Sequence, residues 1–136
     1  MLLAALPGWE AVKVTKGHFR SCGKDPEACC VSGLLGDEPI VRSGWDGNFC
    51  EGKDTGRYWQ AGASNVHWVI ATKADVDAGL ERALGRAAPA ASGVVVEGTG
   101  VIRRLDADFA LIAATPDQAE IKASTAAAGS SGSTAG

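Results

Sequence analysis

Apolar positions in this chain fall into short continuous runs, and the segments between them carry a helical period. Trp9 to Thr15 (Trp-Glu-Ala-Val-Lys-Val-Thr) is rich in β-branched residues with a hint of period two, and predicts a strand. Asn65 to Ala71 is an apolar run of strand length, as are Val94 to Glu97 and Phe109 to Ala114. A helix is expected from Lys53 to the Ala61-Gly62-Ala63 turn. Another is expected from about Ala74 to Ala87, with Val76, Leu80, Ala83 and Leu84 on one face. Thr72 and Asp75, three residues apart, come close to a capping box for it. Thr115-Pro116-Asp117-Gln118 opens a third helix, with Thr as cap, Pro at the first helical position and Gln at the third. Lys16 to Gly52, rich in Gly, Cys and Pro, has no sustained period and predicts a long functional loop with short local elements. Residues 126–136 are low-complexity and predict a disordered tail.

Strands that are apolar throughout and alternate with helices imply a sheet covered on both faces. The expected class is therefore α/β, a three-layer sandwich with a mainly parallel sheet. It would occupy residues 1–125 as one domain, with the Cys-rich loop at 16–52. Ligands of such sheets bind beyond the carboxyl ends of the strands. Thr15 to His18, Ala71 to Lys73, Glu97 to Thr99 and Thr115 should then gather on one rim.

Composition narrows the partners. A length of 136 residues with 46% apolar and 21% charged positions suits one soluble domain. A net charge of -3 gives no electrostatic reason to expect nucleic acid or an anionic membrane. No apolar run approaches the roughly 20 residues of a membrane helix. Met1 to Leu6 lacks the length, basic flank and cleavage site of a signal peptide. Four cysteines without a secretion signal point to reduced thiols and a cytoplasmic location.

Several residue groups could carry chemistry. Glu97 ends an apolar strand just before Gly98, where a carboxylate can hold a Mg²⁺-bound water or orient an attacking one; the plainer reading is an acid at a loop mouth. Asp54 offers a hard oxygen to Mg²⁺, and Lys53 and Arg57 offer charge to phosphates, although an acidic first turn is also what the helix dipole favours. Thr72-Lys73-Ala74-Asp75 resembles the Asn-Lys-x-Asp guanine-reading motif, while helix capping accounts for the same residues. Cys22, Cys29, Cys30 and Cys50 share the long loop with His18. Their spacing is neither a zinc-ribbon nor a ferredoxin pattern, yet three of them, with or without His18, could bind zinc or an iron-sulfur cluster; otherwise they are free thiols. Trp68 reads as core, and Trp45, among glycines, as a ligand or partner contact.

Two stretches carry a family resemblance. Gly52-Lys53-Asp54-Thr55-Gly56-Arg57-Tyr58-Trp59-Gln60-Ala61-Gly62-Ala63, read with Val94-Val95-Val96-Glu97-Gly98-Thr99, resembles the molybdopterin-guanine dinucleotide biosynthesis adapter proteins, a P-loop family. These carry Gly-Lys-Asp-Ser-aromatic/Arg, then Ala-Gly-Ala, then an apolar strand ending in Glu-Gly. The similarity runs from about Leu2 to Ala123. Leu2 to Leu6 looks like the end of the family's first helix, and Val12 to His18 like its second strand and exit. The resemblance implies binding of GTP with Mg²⁺, weak GTPase activity and help in attaching a nucleotide to the molybdenum cofactor. It also implies a cofactor-biosynthesis protein as partner and a tendency to dimerise. Glu97 would be the catalytic carboxylate, and Lys53, Asp54, Arg57 and Gly98 would meet the nucleotide.

The family's phosphate loop has no counterpart here. The only Gly-Lys pairs, Gly23-Lys24 and Gly52-Lys53, are not followed by Ser or Thr. The chain thus reads as starting just after the first strand and phosphate loop. Without that cradle of N–H groups, GTP or ATP should bind no better than about the millimolar range. Loss of an interior strand would also expose Val12, Val14 and Val94 to Val96 and favour self-association. The alternative is a non-catalytic metal- or iron-sulfur-binding carrier that uses the cysteine loop on the same scaffold.

Overall fold

A computed structural model of the chain describes residues 2–17, 31, 34–98 and 100–112. Its sheet is built from β1 (Trp9–Lys16), β2 (Ile40–Ser43), β3 (Val66–Ala71) and β4 (Gly93–Glu97). The helices are α1 (Trp45–Asn48), α2 (Asp54–Gln60) and α3 (Val76–Leu84), and a short 3-10 turn covers Leu2–Ala5. The strand order is β2-β3-β1-β4, with β3 and β4 parallel to β1 and β2 antiparallel to β3. The fold is α/β with a mixed four-stranded sheet.

Strand alternation assigns the two faces. On one, Val12 of β1 lies beside His67 of β3 and Val96 of β4, and Val14 beside Val69. Helix α3 covers this face with buried Val76, Leu80 and Ala83. It approaches so closely that a Cβ on Gly79 would lie 2.6 Å from Val69 Cγ1. Burying a side chain such as Leu80 stabilises by roughly 1.5–3 kcal/mol. On the other face, Leu3, Ala11, Tyr58, Ala63 and Val66 form a buried cluster, with Trp9, Trp59 and Val95 packed against it. Helices therefore flank the sheet on both sides.

Helix α2 stops for a local reason. Gly62, at φ 91, donates to Trp59 O, and Ala63 donates to Tyr58 O, which satisfies two terminal carbonyls through a left-handed residue.

The short local elements expected between Lys16 and Gly52 are β2 and α1. Other expectations need correction. Val12 and Val14 are buried, not exposed, because β1 is an interior strand between β3 and β4. Helix α3 is shorter than Ala74 to Ala87, and no capping box forms: the Thr72 hydroxyl donates to the Asp75 carboxylate at 2.5 Å, and Asp75 precedes the helix. Phe109 to Ile112 forms no strand; these residues are irregular, and Phe109 and Leu111 are exposed. Ala113 and Ala114, the helix expected from Thr115 and the tail at 126–136 lie outside the described residues.

The chain divides into two compact units, Met1–Glu97 and Gly98–Gly136. The described part of the second holds a 3-10 turn at Ile102–Arg104. Among the described residues, no helix is long and apolar enough to cross a membrane.

Candidate functional site

The parallel strands β1, β3 and β4 end at one rim of the sheet. Lys13, three residues before the end of β1, faces mid-strand Trp68 of β3 on one side and Glu97, the last residue of β4, on the other, in register. Arg42 of β2 pairs with Trp68 and completes a row across all four strands. Helix α2 runs back over this face: it starts at Asp54 beside Lys13, and the turn after it returns to Trp9 through Ser64 N–H to Trp9 O.

The centre of the site is one ammonium group. Lys13 Nζ lies 2.7 Å from Asp54 Oδ2 and 2.8 Å from Glu97 Oε1. Arg57, on the next turn of α2, comes within 3.7 Å of Asp54 Oδ1. The side chain of Lys13 is 19% exposed, against 46% for Asp54 and 51% for Glu97, so the cation is the shielded member and the carboxylates face water.

Protonation follows from these contacts. Burial lowers the pKa of Lys13, but hydrogen bonds to Asp54 and Glu97 outweigh it, and the net shift is upward. The Asp54 carboxyl is held below the usual aspartate range by the hydrogen bond from Lys13, aided by its charge and that of Arg57. At neutral pH Lys13 and Asp54 are therefore both charged.

The structure thus brings Asp54, Arg57 and Glu97 together around a residue the sequence reading passed over. Lys13 sits in a strand whose polar positions look like ordinary period-two alternation. Its signal was that Lys13 and Glu97 both place charge late in apolar strands. Lys53 is exposed at the residue before α2. Gly98 directly follows Glu97 at φ 155 and belongs to the second unit. Thr72 and Asp75 lie just past the carboxyl end of β3 and are bonded to each other.

The other candidates fare differently. Cys50 is an exposed free thiol, and Cys22, Cys29, Cys30 and His18 lie outside the described residues. Among the described residues, no group of three or more His, Cys, Asp or Glu could hold a metal ion. Trp68 is half-buried rather than core, because its indole reaches out to donate to Thr15 Oγ1 at 2.9 Å while the Arg42 guanidinium sits 6.0 Å above its ring. Trp45 is 52% exposed and stacks on Phe49 at 4.0 Å, with the edge of Trp59 at 5.5 Å. Its helix is tied by Asn48 to the first residue of β3, so Trp45 stands at the amino ends of the parallel strands, away from the Lys13 rim.

Two carboxylates converging on one cation are a donor set that suits a hard divalent ion. Mg²⁺ typically takes one or two carboxylates and fills its remaining positions with water and phosphate oxygens. Comparison with family models, with curated proteins and with solved structures finds no match to this chain.

Proposed function

We propose that the chain is a Mg²⁺-dependent GTP-binding protein of the adapter type, with the rim around Lys13 as its nucleotide site. The observation that carries this reading is the convergence of Asp54 and Glu97 on Lys13 Nζ where β4 reaches its carboxyl end beside β1. That is where ligands of open α/β sheets bind. The resemblance of the segments around Asp54 and Glu97 to the guanine-dinucleotide adapter family supports the same reading.

In this account, the Lys13 ammonium turns from the carboxylates to a phosphate oxygen as the nucleotide arrives. Asp54 and Glu97 are the residues that would hold Mg²⁺, which would supply charge neutralisation to the phosphates when bound. Arg57 and Lys53 add positive charge beside them, and Glu97 orients a water for slow hydrolysis. The sequence contains no Gly-x4-Gly-Lys-Ser/Thr loop, so affinity stays near the millimolar range. A second copy or a cofactor-biosynthesis protein is the partner, and the cytoplasm is the compartment.

Calorimetric titration with Mg²⁺-GTP tests the reading. Weak saturable binding that falls at least threefold in Glu97→Gln and in Asp54→Asn is expected. Binding indifferent to both substitutions overturns it.

A further inference from the structure

A second polar constellation lies on the opposite face of the sheet, near the amino ends of the parallel strands. Glu10 of β1 and His67 of β3 are ionisable yet only 2% and 0% exposed. His67 Nε2 is 2.8 Å from Glu10 Oε2, and His67 Nδ1 is 2.8 Å from Ser43 Oγ. The other oxygen of Glu10 accepts from the Ala88 N–H at 3.0 Å, which fixes the carboxylate. Ser43 ends β2 directly opposite His67 in the antiparallel register and is half-buried. Gly44, at φ 83, then turns the chain into α1, a backbone conformation other residues adopt rarely. The exposed Arg86 places a guanidinium nitrogen 3.3 Å from Ser43 Oγ and is pinned to Val41 O at 2.7 Å.

We propose that Ser43 is an acyl-accepting nucleophile, with His67 as its base and Glu10 as the positioning residue, acting on activated carboxylic esters. An ionised Glu10 can only accept, so the bond to His67 Nε2 holds the ring proton on that nitrogen. Nδ1 is left with its lone pair toward the serine hydroxyl. Nucleophile, base and orienting acid are then linked in one chain of hydrogen bonds, the relation by which serine is activated on unrelated folds. The two ring nitrogens exchange their commonest roles here, which leaves the proton balance unchanged. Arg86 supplies positive charge where the ester carbonyl oxygen becomes an oxyanion.

The chemistry closes on itself. Ser43 Oγ bonds to the carbonyl carbon as its proton passes to His67 Nδ1. The carbon–oxygen bond to the leaving alkoxide breaks as that proton passes on to the departing oxygen. Water repeats the sequence, releasing the carboxylic acid and restoring Ser43. The site shares neither side chains nor sheet face with the Lys13 rim, so it stands or falls independently of nucleotide binding.

The test uses the full chain and a fluorophosphonate probe, which forms an Oγ–P bond with loss of fluoride, followed by peptide mass mapping. The expected label falls on Ser43, at least tenfold faster than on the exposed Ser64, and is absent in Ser43→Ala. Glu10→Gln keeps the shape but presents an amide to Nε2 and reverses the tautomer, so labelling falls at least tenfold. The charged groups bonded to the relay are Glu10 and Arg86, while Arg82 of α3 bonds instead to Glu38 and Pro39 O. Circular dichroism of each variant separates loss of reactivity from loss of fold. Labelling of folded wild type that is no faster at Ser43 than at Ser64, or a rate unchanged by Glu10→Gln, overturns the proposal and leaves a purely structural buried network.

Discussion

Lys13 and Glu97 are direct neighbours on β1 and β4, and the ammonium of one lies 2.8 Å from the carboxylate of the other. The same ammonium holds Asp54 at 2.7 Å, so one cation ties the edge of the sheet to the start of α2. Replacing Lys13 by Met leaves two carboxylates facing each other with less neutralisation. Because Asp54 and Glu97 are half exposed, solvent screens much of the effect, and the expected loss is roughly 1 kcal/mol. Thermal melts of Lys13→Met, Asp54→Asn and the double variant check this. The double variant should lose less than the sum of the single losses, and strict additivity would mean that the contacts carry no coupling.

The pH dependence follows from the signs of the shifts. The pKa of Asp54 is lowered in the fold, so its contribution is present above the usual aspartate value and disappears as pH falls through the lower, folded value. The pKa of Lys13 is raised, so its contribution is complete below the usual lysine value and disappears as pH rises through the higher, folded one. The Lys13–Asp54 contact should therefore add constant stability across neutral pH, with losses only in acid and strong alkali. Melting temperature followed against pH in wild type and Asp54→Asn checks the acid side. The variant should lose less stability on acidification, and parallel acid limbs would contradict the assignment.

Gly56 is predicted to reject alanine. It is buried in α2 with its Cα against the Cys50 carbonyl, and an added Cβ would collide with that oxygen. Alanine favours a helix interior by about 1 kcal/mol over glycine. The clash is with backbone, which cannot swing aside, and outweighs that gain. Gly56→Ala should be destabilising by about 1–3 kcal/mol in urea unfolding, and a raised midpoint would contradict the packing described here.

Asn48 should be similarly intolerant. Its side-chain amide donates to Arg42 O at 3.0 Å and to Val66 O at 2.6 Å, and its oxygen accepts from Trp59 Nε1 at 2.8 Å. Truncation to alanine removes all three bonds and takes the acceptor from Trp59 Nε1, while Val66 O keeps the Gly44 N–H; the expected loss is about 2 kcal/mol with a change in tryptophan emission. A neutral effect would show that water replaces all three bonds.

How far the sequence was legible depended on local signals. β1, β3 and β4 are dense in β-branched residues, and α2 has a Gly-bounded end, so each was recognisable alone. β2 was not, because Ile40 and Val41 are its only aliphatic residues, and it is an edge strand whose partner in β3 is remote in sequence. Phe109 to Ile112 misled in the opposite direction: apolar character without a pairing strand does not make a strand. Asp54 and Glu97 were recognisable as candidates through their settings and the family resemblance. Lys13 was not, since only the register of β1 against β4 reveals what its side chain meets. Glu10, His67 and Ser43 are far apart in the chain and share no motif, so their alignment exists only in the folded sheet.

The most direct test of the proposed nucleotide site is amide-resolved NMR of the isotope-labelled chain titrated with GTP and a trace of Mn²⁺ in place of Mg²⁺. The paramagnetic ion should broaden the resonances of Asp54, Glu97 and Lys13 first, only when GTP is present, with saturation near millimolar nucleotide, about -4 kcal/mol. Broadening that spares those three residues, or that centres on another part of the chain, would contradict the account.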